Sequence, residues 1–141
     1  MAIVGFSMQK INVERINSPK GKINIKNNVS IKKVERSRFN FGGKREALAY
    51  TFEFTVEYEP NVGNITISGE VINLADEKAA KDVLARWKKD KKVDPVELAP
   101  VLNAVLQRCN VQALVLARDI NLPAPIPLPT VTRKDAARIV K

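Results

Sequence analysis

The sequence predicts an α+β fold, with a four-stranded, mostly antiparallel sheet and helices packed on one face of that sheet. Apolar and polar residues alternate through much of the first 74 residues, turn-forming residues separate the alternating segments, and the apolar period becomes helical after Leu74. The chain has 141 residues, of which 45% are apolar, and it is therefore long enough to bury one core.

The strongest strand signal lies in residues 47–58, and a second alternating segment covers residues 65–74. Turn-forming residues at 59–64 separate the two segments. We therefore expect an antiparallel hairpin with one buried face, and the residues of the first segment on that face are Leu48, Tyr50, Phe52, Phe54, Val56 and Tyr58.

Two further strands are predicted before this hairpin. The first covers residues 6–16, and its apolar residues change phase between Met8 and Ile11, which indicates a bulge. A turn at residues 18–21 leads to the second strand, which the pair Asn27 and Asn28 is expected to break. The apolar residues of this second strand are Ile23, Ile25, Val29, Ile31 and Val34.

Helices are predicted after the sheet. Apolar residues at helical spacing indicate a first helix over residues 76–91, with Trp87 as a core anchor or an interface residue. A second helix is expected to begin at Asp94 and Pro95, with a kink or a break at Pro100. Residues 101–117 are apolar on nearly all sides, which predicts burial either by the sheet or by a partner subunit.

Half of the eight prolines lie between Pro123 and Pro129, so this segment is expected to be extended, with its apolar residues packed on the body. Residues 131–141 are predicted to include a short basic helix. We therefore expect one domain over residues 1–130 and a basic C-terminal tail over residues 131–141.

The composition excludes several kinds of site. The chain has no histidine, which excludes histidine-based catalysis and histidine-ligated metals. A single cysteine, Cys109, excludes a disulfide framework and a multi-cysteine metal site within one chain, and we interpret it as a small core residue. No apolar run is long enough to cross a membrane. We expect a cytoplasmic protein without membrane contact, cofactor, metal or enzymatic activity.

Charge is distributed unevenly along the chain. The net charge is +9, and residues 10–45, with eleven basic and two acidic residues, alone carry +9. Such a concentration is typical of a surface that binds a polyanion, and a solvated lysine-rich face is the alternative. A second basic run at residues 88–92 is interpreted as a solvated helix end.

Residues 37–45 interleave aromatic and basic side chains, as do proteins that stack rings on unpaired bases. In the alternative interpretation, Phe39 and Phe41 cap the core. The sequence thus predicts a non-enzymatic protein, ribosomal or ribosome-associated, that binds ribosomal RNA and neighbouring ribosomal proteins. The predicted RNA-binding residues are Lys20, Lys22, Lys26, Lys32, Lys33, Arg36, Arg38, Phe39, Phe41, Lys44, Arg45, Arg133, Lys134 and Arg138.

The order of elements resembles that of the bacterial export chaperone SecB and its SecB-like relatives. The resemblance covers residues 6–131, and it rests on the hairpin at 47–74 and on an apolar helix at 101–118 that runs into the proline segment. It implies an alternative function, a chaperone that holds unfolded polypeptide in apolar grooves under the long helix. SecB is an acidic tetramer that passes precursors to the export motor.

The charge of this chain departs from that family pattern. Because the chain has a net charge of +9 and a basic tail, we do not expect it to dock on a partner through acidic surfaces. We expect instead a basic, ribosome-associated, archaeal-type relative, and fold alone does not fix its function. An oligomer through the apolar long helix and a structural subunit of another complex are further alternatives.

Overall fold

A computed structural model describes residues 2–18, 20–37 and 45–139 of the chain. Within these residues there are four strands and three helices: β1 (Ala2–Arg15), β2 (Asn24–Arg36), β3 (Arg45–Glu59), β4 (Gly63–Asp76), α1 (Glu77–Asp90), α2 (Pro95–Asp119) and α3 (Arg133–Ile139). The strands form one sheet in the order β1-β4-β3-β2, and every neighbouring pair is antiparallel. The predicted α+β class is confirmed.

The central hairpin of β3 and β4 supplies most of the core. Its register pairs Phe54 with Ile67 and Phe52 with Gly69. The six residues predicted for the buried face of β3 are at most 1% exposed. Gly69 lies so close to β1 that a Cβ there would collide with the carbonyl oxygen of Ser7. The close approach of β1 to β4 therefore depends on a residue without a side chain.

The two edge strands differ in how well the sequence predicts them. The bulge in β1 is confirmed by a register shift between Met8 and Lys10. The break expected at Asn27 and Asn28 is wrong, because β2 pairs continuously with β3 through both asparagines. The side-chain amide of Asn27 donates a hydrogen bond to the carbonyl of Pro125, at 3.1 Å, so a polar residue is accommodated within the strand. The irregularity in β2 lies instead between Ile31 and Lys33.

Helices α1 and α2 begin where the sequence predicts, at Glu77 and Pro95. Asp76 caps α1 by accepting a hydrogen bond from the backbone N–H of Ala79 at 2.8 Å, and Asp94 caps α2 in the same manner. Of the kink or break expected at Pro100, the break is wrong, since α2 is one helix of 25 residues that includes this proline, and the kink stays a prediction. Pro100 removes one N–H donor near the helix start, and the carbonyl left unpaired belongs to Val96, a residue that is 72% exposed.

The sheet covers only one stripe of α2. The buried residues of this helix recur at every fourth position: Val101, Val105, Cys109, Ala113 and Ala117. Other apolar residues stay at the surface, and Val111 is 63% exposed. The predicted burial by the sheet therefore holds for one stripe, and burial of the remainder by a partner subunit stays a prediction.

The proline segment packs against the end of the sheet and contains no strand in its described residues. Leu122 and Pro125 are buried, and the Tyr58 hydroxyl donates a hydrogen bond to the carbonyl of Pro123 at 2.7 Å. The predicted packing is confirmed in part, since Pro125 is buried and Ala124 and Ile126 are half-buried, but Leu128 is 53% exposed. Beyond it, α3 has no buried residue. Among the described residues, no helix is sufficiently long and apolar to span a membrane.

Candidate functional site

Three largely apolar surface grooves lie beside α2 in the described part of the chain. The first, which we name the β2 groove, lies between the edge strand β2, the end of α1 and the start of α2, and has a volume of about 440 Å³. Its size is that of a pocket for several side chains. Its lining residues are Val29, Ser30, Ile31, Arg86, Trp87, Lys91, Lys92, Val93, Pro95, Leu98 and Leu102.

The end of α1 shapes the β2 groove. Lys91 follows the helix with a left-handed backbone, at a φ of 59°, and its N–H donates to the carbonyl of Trp87 at 2.9 Å. This turn places the Lys91 ammonium 5.4 Å from the centroid of the Trp87 ring. A cation and a large aromatic ring therefore lie together at the wall of the groove.

The second groove, the β1 groove, lies at the opposite edge of the sheet. Phe6 and Met8 of β1 line it together with Gln107, Arg108 and Val111 of α2. The Phe6 ring stacks on the core residue Phe52, with centroids 5.2 Å apart, and the Arg108 guanidinium lies 5.0 Å from the Phe6 ring centroid. The floor of this groove is thus anchored directly to the core.

The third groove, the proline groove, lies between the end of α2 and the segment that follows it. The hydrogen bond from Tyr58 to Pro123 holds this segment against the sheet. Leu128, which is 53% exposed, forms part of the groove's rim. The lining residues are Leu114, Val115, Ala117, Arg118, Leu122, Ala124 and Leu128.

Several of the predicted RNA-binding cations are paired with carboxylates of the sheet. Lys26 lies 3.4 Å from Glu59, Lys33 lies 3.1 Å from Glu35, and Arg36 lies 3.5 Å from Glu46. Because the pairing with β3 shifts between Ile31 and Lys33, Lys26 and Lys33 lie on the face opposite to that of Arg36. These cations do not share one surface, and part of their charge is neutralised locally.

The other predicted RNA-binding residues lie on separate elements. Lys20 and Lys22 are exposed between β1 and β2, Lys32 is exposed in β2, and Arg45 begins β3. Arg38, Phe39, Phe41 and Lys44 lie outside the described residues. The remaining three residues, all exposed on α3, are Arg133, Lys134 and Arg138.

Sequence reasoning missed the residues at the wall of the β2 groove. It treated Trp87 as a core anchor or an interface residue, and it treated the basic run after it as a solvated helix end. In the structure Trp87 is only half-buried, and Arg86, Lys91 and Lys92 line the groove beside it. The sequence signal that could have identified this surface is the position of Trp87 directly before a run of basic residues.

Cys109 is confirmed as a small core residue. Its side chain is fully buried in the stripe of α2 that faces the sheet. Burial raises the pKa of the Cys109 thiol to about 12, so at neutral pH it is protonated.

Comparison with known proteins assigns the fold. No family model matches the chain, and no curated protein matches its sequence. Among solved structures, it is similar to Rv1957 of Mycobacterium tuberculosis, a SecB-like chaperone in complex with a ChAD peptide from the antitoxin HigA1. The TM-score is 0.53, the identity is 11%, and the match covers 93% of this chain and 89% of that one. The fold is SecB-like.

This finding corrects the predicted function. The prediction of a ribosomal, RNA-binding protein is wrong, because the whole-chain likeness is to a SecB-like chaperone. The ion pairs within the sheet agree with this correction, since the described cations Lys26, Lys33 and Arg36 do not form one free cationic surface. The archaeal-type, ribosome-associated identity receives no support. The alternative drawn from the resemblance, a chaperone, fits the fold better.

Proposed function

We propose that this protein is a SecB-like chaperone that holds extended segments of unfolded polypeptide in the three grooves beside α2. The observation that supports the proposal most strongly is the set of apolar grooves around one helix on a SecB-like fold. The similar mycobacterial chaperone was solved in complex with a peptide, which agrees with a polypeptide as the occupant.

The physical basis is the transfer of apolar side chains out of water. An unfolded chain exposes apolar side chains, and burial gains about 25 cal/mol per Å² of apolar surface. Exposed apolar residues such as Val111 and Leu128 offer a surface for that burial. Because the β1 and β2 grooves lie at opposite edges of the sheet, one long client can occupy more than one groove, and weak contacts then combine.

Holding a client in this way requires no covalent bond to be made or broken. We therefore extend the proposal to a protein without catalytic residues, acting through reversible contacts. Its division into a domain and a basic tail, and its assembly through α2, stay predictions.

A light-scattering experiment tests the proposed function. An unfolded model protein is diluted from denaturant into buffer with and without stoichiometric amounts of this chain. We expect scattering from aggregated client to be strongly reduced, whereas a folded basic protein of similar size leaves it unchanged. If an excess of this chain does not reduce the scattering, the proposal is contradicted. A self-associated form of this chain that binds no client also contradicts it, because a second copy then occupies the grooves.

A further inference from the structure

The three grooves share a charge pattern. Among the described residues that line them, none is aspartate or glutamate. Each groove nevertheless carries at least one guanidinium or ammonium group, with Arg108 in the β1 groove and Arg118 in the proline groove. Every groove therefore offers at least one positive charge beside its apolar lining residues.

The β2 groove has the highest positive charge of the three, with Arg86, Lys91 and Lys92 among its lining residues. All three side chains are exposed, and none of them forms a salt bridge with a described residue. Lys26, Lys33 and Arg36 of β2 differ in this respect, because each is paired with a glutamate. The charge beside this groove is thus available to a ligand.

The acidic residues nearest in sequence to this wall already have backbone partners. Asp90 accepts a hydrogen bond from the N–H of Lys92 at 3.1 Å, and Asp94 accepts one from the N–H of Val96 at 2.9 Å. Asp94 is the N-cap of α2, and Asp90 closes a local turn at the end of α1, so both carboxylates are held at the backbone. They do not neutralise the exposed cations by a direct ion pair.

We propose that these grooves select clients whose apolar residues are interleaved with aspartate or glutamate, an inference that rests on the proposed function. The apolar side chains pack on the floor of the β2 groove, and the carboxylates face Arg86, Lys91 and Lys92. An extended client fits this arrangement, because carboxylates between its apolar side chains are kept off the floor and lie toward the rim, within reach of the long, exposed basic side chains. A client rich in lysine meets like charge at the same wall and binds more weakly.

The expected selectivity is moderate, since exposed ion pairs are individually weak. We expect a carboxylate-bearing client to bind about fivefold more tightly than a neutral one of equal apolar content at about 0.1 M salt. At about 1 M salt, where the Debye length falls to roughly 3 Å, the difference closes. The apolar contribution remains, so all clients still bind.

The test uses three peptides of about ten residues, near the upper length of a typical strand. They carry the same leucines and phenylalanines, interleaved with glutamate, glutamine or lysine, and contain no tryptophan. Binding to the full chain is followed by the anisotropy of a dye on the peptide. It is also followed by the emission of Trp87, the chain's single tryptophan, which lines the groove.

Charge reversal at the wall provides the decisive variant. Arg86→Glu combined with Lys92→Glu is expected to invert the order of the glutamate and lysine peptides. The matched control is Lys88→Glu combined with Lys89→Glu, which makes the same change in net charge at exposed positions of α1 outside the lining of the groove. In that control the glutamate peptide stays the preferred ligand.

Each outcome separates the inference from the proposed function. Equal affinities for all three peptides, with client aggregation still suppressed, overturn the charge selectivity and leave the chaperone proposal standing. An equal effect of the two charge-reversal variants also overturns the selectivity, because it assigns the preference to net charge alone. Absence of binding by every peptide, together with unsuppressed aggregation, overturns both.

Discussion

The Val111→Asp variant is expected to bind an unfolded client about tenfold or more weakly than the parent chain. Val111 lines the β1 groove and is 63% exposed, so its side chain is available to a client. Aspartate removes the burial of a valine, which is worth about 1.5–3 kcal/mol, and places a charge against apolar side chains. Valine and aspartate have similar helix propensities, so the fold is expected to persist. Fluorescence anisotropy of a labelled, permanently unfolded client measures the loss.

A matched control lies on the same helix. Val96 is 72% exposed, and it does not line any of the three grooves described above. Val96→Asp makes the same chemical change in the first turn of α2, where the helix dipole tolerates a carboxylate. Client affinity is therefore expected to stay close to that of the parent. If both variants weaken binding equally, or if Val111→Asp has no effect, the β1 groove is not a client-binding surface.

The Phe52→Ala variant is expected to lower the free energy of unfolding by about 3–5 kcal/mol. Phe52 is fully buried, pairs with Gly69 in the sheet and stacks on Phe6 at the floor of the β1 groove. Its removal leaves a cavity between the sheet and α2, which the packed surroundings fill only in part. Urea unfolding followed by the emission of Trp87 measures the effect, and the midpoint is expected to fall sharply.

Thr51→Ala provides the reference for this stability prediction. Thr51 is the neighbour of Phe52 and lies half-buried on the opposite face of the sheet. The expected change is about 1 kcal/mol or less, because no large apolar group is removed from the core. If Thr51→Ala and Phe52→Ala lowered the free energy of unfolding by similar amounts, the assignment of the even-numbered β3 residues to the core-facing side would be contradicted.

Strand patterning made the sheet predictable from the sequence. The alternation in β3 and β4 directly identifies the buried face, since side chains of a strand alternate between the two faces. The break predicted in β2 was wrong because Asn27 was taken as a turn residue. The odd-numbered apolar residues from Ile23 to Ile31 keep one phase through it, and the bond from Asn27 to Pro125 explains the polar side chain at that position.

The candidate functional surface was harder to predict, because charge counted along the chain ignores strand pairing. The basic residues of β2 lie beside β3, whose glutamates begin immediately after the basic segment ends. Glu46 and Glu59 therefore meet Arg36 and Lys26 only once the strands have paired. The groove at β2 similarly combines residues of three elements, which no single sequence window contains.

Hydrogen–deuterium exchange with a bound, permanently unfolded client tests the central claim most directly. Edge strands exchange readily where their outer backbone groups face water, and a client held in the grooves restricts that exchange. We predict slower exchange at residues 29–31 of β2 and residues 6–8 of β1, with exposed α3 unchanged as an internal reference. Protection confined to α3 and to the lysines between β1 and β2, or no protection at all, would contradict polypeptide binding in the grooves.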